Sequence, residues 1–153
     1  MRFFVKLALS IFLLDRLTKG IVKANFSEGQ SIPLIKNIFH LTYVRNPGAA
    51  FSLFPHKTLF FIVVTVAVLV VILYYYNKIP ADRLRARTAL ALQFGGAAGN
   101  LVDRIFGGYV VDFFDFRVFP VFNIADSAVV IGVILLSWEI ITWPKEDDQE
   151  QEY

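Results

Sequence analysis

Four aspartates lie within residues 95–126, between two strongly apolar segments of the chain: Asp103, Asp112, Asp115 and Asp126. A carboxylate beside a membrane span is costly and therefore tends to have a function. Two aspartates held within a few ångströms of each other cannot both ionise comfortably, so they share one proton. The ionised member can activate water while the protonated member polarises a carbonyl group. We therefore expect two of the four to form an acid/base pair at the edge of a bilayer.

Asp112 and Asp126 are the candidates for this pair. Asp112 lies in an apolar, strand-like run at residues 110–114, where desolvation would raise the pKa of its carboxyl group. Asp126 begins the apolar segment that follows, where a helix dipole would favour the anion. An alternative stays open, because Asn123 and Asp126 also match a helix cap followed by an acid in the first turn. The other two aspartates match simple interface ion pairs, Asp103–Arg104 and Asp115–Arg117.

The composition is that of an integral membrane protein. The 153 residues suffice for one domain, but 56% are hydrophobic and the mean hydropathy is +0.57, which is too high for an ordinary soluble fold. A net charge of +2 gives no indication of nucleic-acid binding. Without cysteine, an HExxH motif or a serine beside a histidine motif, thiol, zinc and triad hydrolysis lack their parts. No metal or organic cofactor is expected.

Four apolar segments are predicted to be transmembrane helices, at about residues 3–22, 59–76, 88–102 and 123–143. The second is the clearest, since at about 1.5 Å per residue it nearly crosses the hydrocarbon core. The first is interrupted by charged residues, of which Asp15 and Lys19 share a helix face and can pair. That pair fits a helix-end salt bridge that snorkels to water as well as it fits a support for a site.

The third predicted helix is rich in alanine and glycine. Gly95 and Gly99 form a small-xxx-small pair, which lets another helix approach closely. Asn100 shares one helical face with Asp103 and also with Arg104. The third helix therefore combines close packing with a polar face at one end.

Two polar intervals are predicted to contain β-structure. Residues 32–44 alternate partly between apolar and polar, which predicts one or two short strands, and the turn signal Asn46-Pro47-Gly48 should end them. Residues 49–54 follow as a short apolar piece expected on the membrane surface. Gly107-Gly108 should break the third helix, and residues 109–122 read as a β-rich excursion. The expected fold class is membrane all-α, with four transmembrane helices and a small β-structure.

The loop at residues 77–87 indicates the orientation in the membrane. It has a single acid and four basic residues, Lys78, Arg83, Arg85 and Arg87. A short basic run between two spans marks the cytoplasmic side. An even number of spans then places both termini in the cytoplasm and both polar excursions outside the cell. The acidic residues near the end, 146–152, should form a solvated tail.

Five motifs together resemble those of the bacterial lipoprotein signal peptidase (signal peptidase II) family. They appear in the family's order and cover nearly the whole chain: Asp15-x-x-x-Lys19, Asn46-Pro-Gly-Ala-Ala-Phe51, Gly95-Gly-Ala-Ala-Gly-Asn-Leu-Val-Asp-Arg104, Val110-Val-Asp-Phe113 and Phe122-Asn-Ile-Ala-Asp-Ser127. Each motif alone is weak, but jointly they are very specific. The resemblance implies one integral membrane peptidase domain over residues 1–153, with an extracytoplasmic β-structure.

The resemblance also implies an aspartyl endopeptidase. Such an enzyme removes the signal peptide from diacylglyceryl-modified prolipoproteins just before the lipidated cysteine. It would work as a monomer in the bacterial cytoplasmic (inner) membrane, with its site near the outer face and membrane lipids as its other partners. The family's catalytic pair falls on Asp112 and Asp126. Its substrate-binding and supporting residues fall on Asp15, Lys19, Asn46, Gly48, Asn100, Arg104 and Asn123. By comparison Asp103 and Asp115 look structural, with Asp103 pairing either Arg104 or Lys19.

Two other classes of function are compatible with the residues. A small proton-coupled transporter or channel would use intramembrane acids to relay protons. Here, however, the acids cluster at one membrane face and do not follow one another across the bilayer. An assembly or scaffold protein would leave the polar motif residues without a role.

Overall fold

The computed structural model describes residues 1–48 and 58–143. Within them, four helices and three strands follow one another as α1 (Arg2–Asn25), β1 (Ser31–Ile35), β2 (Phe39–Asn46), α2 (Thr58–Tyr76), α3 (Leu84–Gly107), β3 (Val110–Asp115) and α4 (Ile124–Ile141). The mostly helical fold with a small β-structure is confirmed. The surface segment expected at residues 49–54 and the acidic tail at 146–152 lie outside the described residues.

α3 is the central helix, and it packs against α1, α2 and α4. Its glycines explain how it does so, because a methyl group at Gly95 would collide with the backbone of Ala8 in α1, and one at Gly96 would collide with the backbone of Ala125 in α4. Gly99 leaves room for the carboxylate of Asp15. The close approach predicted at Gly95 and Gly99 is therefore confirmed, and both glycines face α1.

The predicted bounds of the third helix, 88–102, were too narrow at both ends. Its first turns include Arg85 and Arg87, so the connecting loop is shorter than predicted. The side chain of Arg87 is used for packing, since it donates to the hydroxyl of Tyr76 at 2.8 Å and to the carbonyl of Ile79 at 3.0 Å. The helix ends at Gly107, beyond the predicted span, and this end lies at the break predicted at Gly107-Gly108, where Gly108 adopts a left-handed φ of 73°.

In the described part of the chain, two helices are long and apolar enough to cross a membrane, as judged by length and composition: Thr58–Tyr76 and Ile124–Ile141. α1 carries too many charges to meet that criterion. Asp15 and Lys19 are nevertheless fully buried, which excludes snorkelling to water, one of the two interpretations left open for this pair. The side of α1 that faces away from the protein is mostly apolar, with exposed Phe3, Val5, Leu9, Leu13, Leu17 and Ile21, and it also carries Lys6 and Ser10.

The three strands form one antiparallel sheet in the order β1-β2-β3, which confirms the strands predicted within residues 32–44. Val111 and Phe113 of β3 are buried with Val22 of α1. Successive side chains of a strand point to opposite faces, so Asp112 points to the other side of the sheet. Only the first half of the predicted β-rich excursion is a strand. Residues 116–121 are irregular, because Arg117 has a φ of 65° and Pro120 has no N–H to donate.

The glycine contacts of α3 predict a specific loss of stability. We expect Gly96→Val to lower the free energy of unfolding by about 3 kcal/mol or more, because its side chain would overlap the backbone of α4. Gly20→Ala in α1 is the control, since no neighbouring atom lies within 4 Å of the added methyl group. That change should stabilise the helix by up to about 1 kcal/mol. Thermal unfolding in detergent micelles measures both, and equal melting temperatures would contradict the packing described.

Candidate active site

A buried cluster of charged side chains, Asp15, Lys19 and Asp103, joins α1 to α3. The ammonium Nζ of Lys19 is 2.9 Å from Asp15 Oδ2 and 2.9 Å from Asp103 Oδ2. It also donates a hydrogen bond to Asn100 Oδ1 at 2.8 Å. Buried charges are stable only when they are paired and hydrogen-bonded in this way. Lys19 therefore fixes the side chain of Asn100 from behind.

Asp103 pairs with one of its two predicted partners. It binds Lys19 but not Arg104, and it also pairs with Arg16, which the sequence reasoning did not assign to the site. Asp103 further accepts a hydrogen bond from the backbone N–H of Val111, so it ties α3 to β3. The sequence does indicate a role for Arg16, because it is a third charged residue, next to Asp15, in a mostly apolar helix. The guanidinium of Arg104 lies instead over the ring of Phe61, 5.3 Å from its centre.

Asp126 lies in the first turn of α4, which is fixed by a capping box and by a hydrogen bond to Asp15. Asn123 and Asp126 form a capping box, in which the N–H of Asp126 donates to Asn123 Oδ1 at 2.9 Å and the N–H of Asn123 donates to Asp126 Oδ2 at 3.2 Å. Asp15 of α1 accepts from the N–H of Ala125 at 3.1 Å. The predicted helix cap at Asn123 and Asp126 is thus confirmed. It leaves Asp126 Oδ1 free to accept from Asn100 Nδ2 at 2.7 Å.

Asp112 is held by two amides and is only 2% exposed. Asn123 Nδ2 donates to its Oδ1 at 2.7 Å, and Asn46 Nδ2 donates to its Oδ2 at 3.0 Å. The backbone N–H of Gly48 in turn donates to Asn46 Oδ1 at 3.0 Å, which orients the amide of Asn46. The turn after β2 therefore positions one of the two amides that bind Asp112.

Asp112 and Asp126 line the same cavity, which has a volume of about 570 Å³. Asn123 joins them, since its side chain binds Asp112 and its backbone binds Asp126. Arg104 lines the cavity as well. Burial, and to a lesser extent the negative charge of Asp126, raise the pKa of Asp112 to about 7. A protonated carboxyl can therefore stand beside an ionised one near neutral pH, as an acid/base pair requires.

The other candidate residues form two layers around this pair. Asn46, Asn100 and Asn123 bind the carboxylates directly. Gly48 and Lys19 bind two of these asparagines, Asn46 and Asn100, and Asp15 binds the backbone of Ala125 next to Asp126. The structure thus brings all nine sequence-predicted site residues together. Their catalytic and binding roles stay a prediction.

Asp115 lies apart from the cavity and pairs with Arg117 at 2.9 Å, as predicted. Burial opposes its ionisation, but hydrogen bonds from Thr42 and Arg117 outweigh that effect and hold the pKa of Asp115 below its usual value. Within residues 1–48 and 58–143, no three His, Cys, Asp or Glu side chains are grouped as a metal site requires.

Comparison with known proteins gives a consistent result. The family model for signal peptidase (SPase) II matches residues 7–142. The chain is 50% identical to a lipoprotein signal peptidase of Moorella thermoacetica over 147 residues, which cover 96% of this chain and 98% of that protein. It is 45% identical to a lipoprotein signal peptidase of Pelotomaculum thermopropionicum over 131 residues, or 86% of each chain.

A solved structure has the same fold. A bacterial membrane enzyme determined by the in meso method at 2.3 Å resolution superposes with a TM-score of 0.89 at 33% identity, covering 100% of this chain and 94% of that one. The family match and the relatives agree in naming a signal peptidase II, and the structural neighbour is a membrane enzyme, which agrees with the two apolar helices. The chain therefore belongs to the signal peptidase II family of membrane-bound aspartyl peptidases.

Proposed function

We propose that this protein is a membrane aspartyl endopeptidase that cleaves the signal peptide from diacylglyceryl-modified prolipoproteins, just before the lipidated cysteine. Asp112 and Asp126 are its catalytic pair. The observation that carries this proposal is that the two carboxyl groups share one cavity while Asn123 binds both of them. The substrate class is supported by the relatives that are named lipoprotein signal peptidase.

The environments of the two carboxyl groups suggest their roles. Asp126 lies in the first turn of α4, where the helix dipole favours the anion, so it takes a proton from the attacking water. Asp112, protonated near neutral pH, donates to the carbonyl oxygen of the scissile peptide bond. Asp126 then gives its proton to the leaving amine as the carbon–nitrogen bond breaks. Asp112 takes back a proton from a hydroxyl group of the tetrahedral intermediate as the product carboxyl group forms, which restores the starting state. No metal or organic cofactor is needed for these steps.

The polar residues around the pair support catalysis in different ways. Asn46, Asn100 and Asn123 fix the carboxylate oxygens through hydrogen bonds of 2.7–3.0 Å. Arg104 points into the cavity without a salt bridge to any described residue, so its N–H groups can bind the carbonyl oxygens of the substrate backbone. Asp15 and Lys19 position Ala125 and Asn100, and therefore act through those residues.

All four helices are proposed to cross the bilayer. α1 and α3 have 24 residues each, about 36 Å of helix, which suffices for the hydrocarbon core. The exposed apolar face of α1 would contact lipid, while α3 is shielded by the other three helices. The cost of the charges in α1 is reduced because Lys19 is paired with Asp15 and Asp103.

The orientation follows from the basic residues between α2 and α3. They place that end of the bundle in the cytoplasm, so both termini are cytoplasmic as well. The catalytic pair lies at the opposite end of α3 and α4, near the outer face of the bacterial inner membrane. The protein is proposed to act there as a monomer, on substrates that are already lipid-modified.

The first prediction from this mechanism concerns the carboxyl pair. Asp112→Asn and Asp126→Asn preserve size but abolish ionisation, so each should lower cleavage of a purified lipidated prolipoprotein by roughly a thousandfold or more. The double variant should lose little more, because the two groups act as one unit. Asp115→Asn is the control in the same strand and should keep most activity. Near-normal cleavage by Asp126→Asn would leave Asp126 with its helix-cap role alone.

The raised pKa of Asp112 predicts how activity depends on pH. The rate should follow a bell shape, with its alkaline limb near pH 7, where the proton of the pair is lost. A rate of cleavage that stayed constant between pH 6 and pH 9 would contradict the assignment of a shared proton.

Stability should change over the same pH range. The folded pKa of Asp112 lies above its ordinary value of 3.8, so its protonated form stabilises the fold fully below about pH 4. That stabilisation is lost as the pH rises through about 7, by at most about 4 kcal/mol. Melting temperatures of Asp112→Asn in micelles should therefore depend less on pH between 4 and 8 than those of the unchanged protein.

The proposed orientation can be tested with fusions. A reporter that is active only in the cytoplasm, joined after Arg85, should be active, and the same reporter joined after Lys36 should be silent. The reason is that the basic loop is retained inside while the sheet is exported. A reversed pattern would place the catalytic pair on the cytoplasmic side and exclude the arrangement described.

A further inference from the structure

A second cavity lies between the same three helices as the cavity that holds Asp112 and Asp126. In the described part of the chain, α2 and α4 both pack on α3 but do not pack extensively on each other. The same three helices therefore line both cavities. The catalytic cavity is lined by Thr65, Ala97 and Val130, and the second one by Val68, Gln93 and Leu136. Along α3, the second cavity lies at Leu90 and Gln93, on the side of the catalytic cavity that is nearer to the basic end of the bundle.

The second cavity has a volume of about 550 Å³ and is almost entirely apolar. Of the described residues that line it, only Tyr75 and Gln93 have polar side-chain atoms. The amide nitrogen Nε2 of Gln93 is buried and has no hydrogen-bond partner among residues 1–48 and 58–143. An unsatisfied amide is costly away from water, and more so within a bilayer. Gln93 is therefore a buried donor for which the described residues supply no acceptor.

Packing holds the side chain of Gln93 in place. Gly132 of α4 lies directly against it, and a Cβ atom at Gly132 would come within 2.6 Å of Gln93 Cγ and 2.7 Å of the carbonyl oxygen of Ala89. A larger residue at position 132 would therefore displace the stem of Gln93. The missing side chain of Gly132 lets α4 approach while the amide of Gln93 stays buried beside the cavity.

The distance between Gln93 and the catalytic pair can be estimated along α3. Gln93 lies seven positions before Asn100 in α3, and Asn100 binds Asp126 of the catalytic pair. Seven residues of helix span about 10 Å. A helical signal peptide whose scissile bond lies at the pair, and which passes both cavities, would therefore place the residue about seven positions before that bond beside Gln93.

We propose that Gln93 is a specificity-determining residue, which binds the hydroxyl group of a serine or threonine in the signal helix about seven residues before the scissile bond. This inference rests on the proposed function. The signal helix is the occupant that fits, because the second cavity lies between the same three helices as the one that holds the scissile bond, and Gln93 lies one turn of α3 from Ala97 in that cavity. A lipid acyl chain has no acceptor and would leave the amide of Gln93 unsatisfied. Ser and Thr hydroxyl groups, in contrast, form hydrogen bonds across helices within membranes.

Cleavage of matched substrates tests the inference. In the first pair of lipidated prolipoproteins, one substrate has serine and the other has alanine seven residues before the lipidated cysteine. In the second pair, the same difference lies nine residues before the cysteine, on another face of the signal helix. The unchanged protein should favour serine at the first position by about three- to fifteenfold in kcat/KM. Gln93→Met, which is similar in size, should reduce that ratio to near one. At the second position neither protein should favour serine. An absent preference, or one that Gln93→Met retains, would overturn the inference.

Cross-linking separates this inference from the proposed function, since it does not require cleavage. The chain has no cysteine, so single cysteines can be introduced without interference. Val68 lines the second cavity, whereas Val66 lies on another side of α2 and lines neither cavity; the two side chains are similarly exposed, at 42% and 44%, so Val66→Cys is a matched control for Val68→Cys. A signal peptide with cysteine seven residues before the cleavage position should form a disulfide with the first variant and not with the second. Equal or absent cross-linking at position 68 would overturn the placement of the helix, whether or not the protein cleaves it.

Discussion

The structure depends on one buried cation. Lys19 is fully buried and binds two carboxylates and an amide, all at 2.8–2.9 Å, from α1 and α3. Removing one partner of such a cluster would leave an uncompensated charge in a medium of low dielectric constant, which costs several kcal/mol. The cluster therefore fixes how α1 lies on α3. Through Asp15 it also reaches the first turn of α4, so a single set of charges aligns three helices.

Asn123 transmits this alignment to the reacting groups. It caps α4, and its side chain binds Asp112, the backbone of Val111 and the amide of Asn100. An amide that is fully buried and uses its donors and its acceptor has little freedom to rotate. The cap of α4 and the contacts of Asp112 and Asp126 are consequently parts of one hydrogen-bond network. The two interpretations of Asn123 and Asp126 that the residues left open are both satisfied by the same hydrogen bonds.

The glycines of α3 determine the space that is left for a substrate. They let α1 and α4 approach closely, whereas α2 packs mainly on α3, contacts α1 through Tyr76 and Phe4, and makes few contacts with α4. Close packing of small residues is how helices associate in lipid, where the hydrophobic effect provides no driving force. The open side between α2 and α4 is therefore a consequence of where α3 carries glycine. Both cavities lie on that side, the one lined by Asp112 and Asp126 and the apolar one beside Gln93.

Much of this protein could be predicted from its sequence, because the signals were local. Apolar length predicted the helices, alternation predicted strands within 32–44, and Gly107-Gly108 predicted the end of α3. The order of the polar motifs identified the family and the residues around Asp112 and Asp126. Other features could not be predicted, because they depend on contacts between residues distant in sequence. Asp103 pairs with Arg16 and Lys19 and not with its neighbour Arg104, and Lys19 is buried instead of snorkelling. Helical spacing shows which residues share a face, but only the packing of α1, α3 and α4 decides which charges that face will meet.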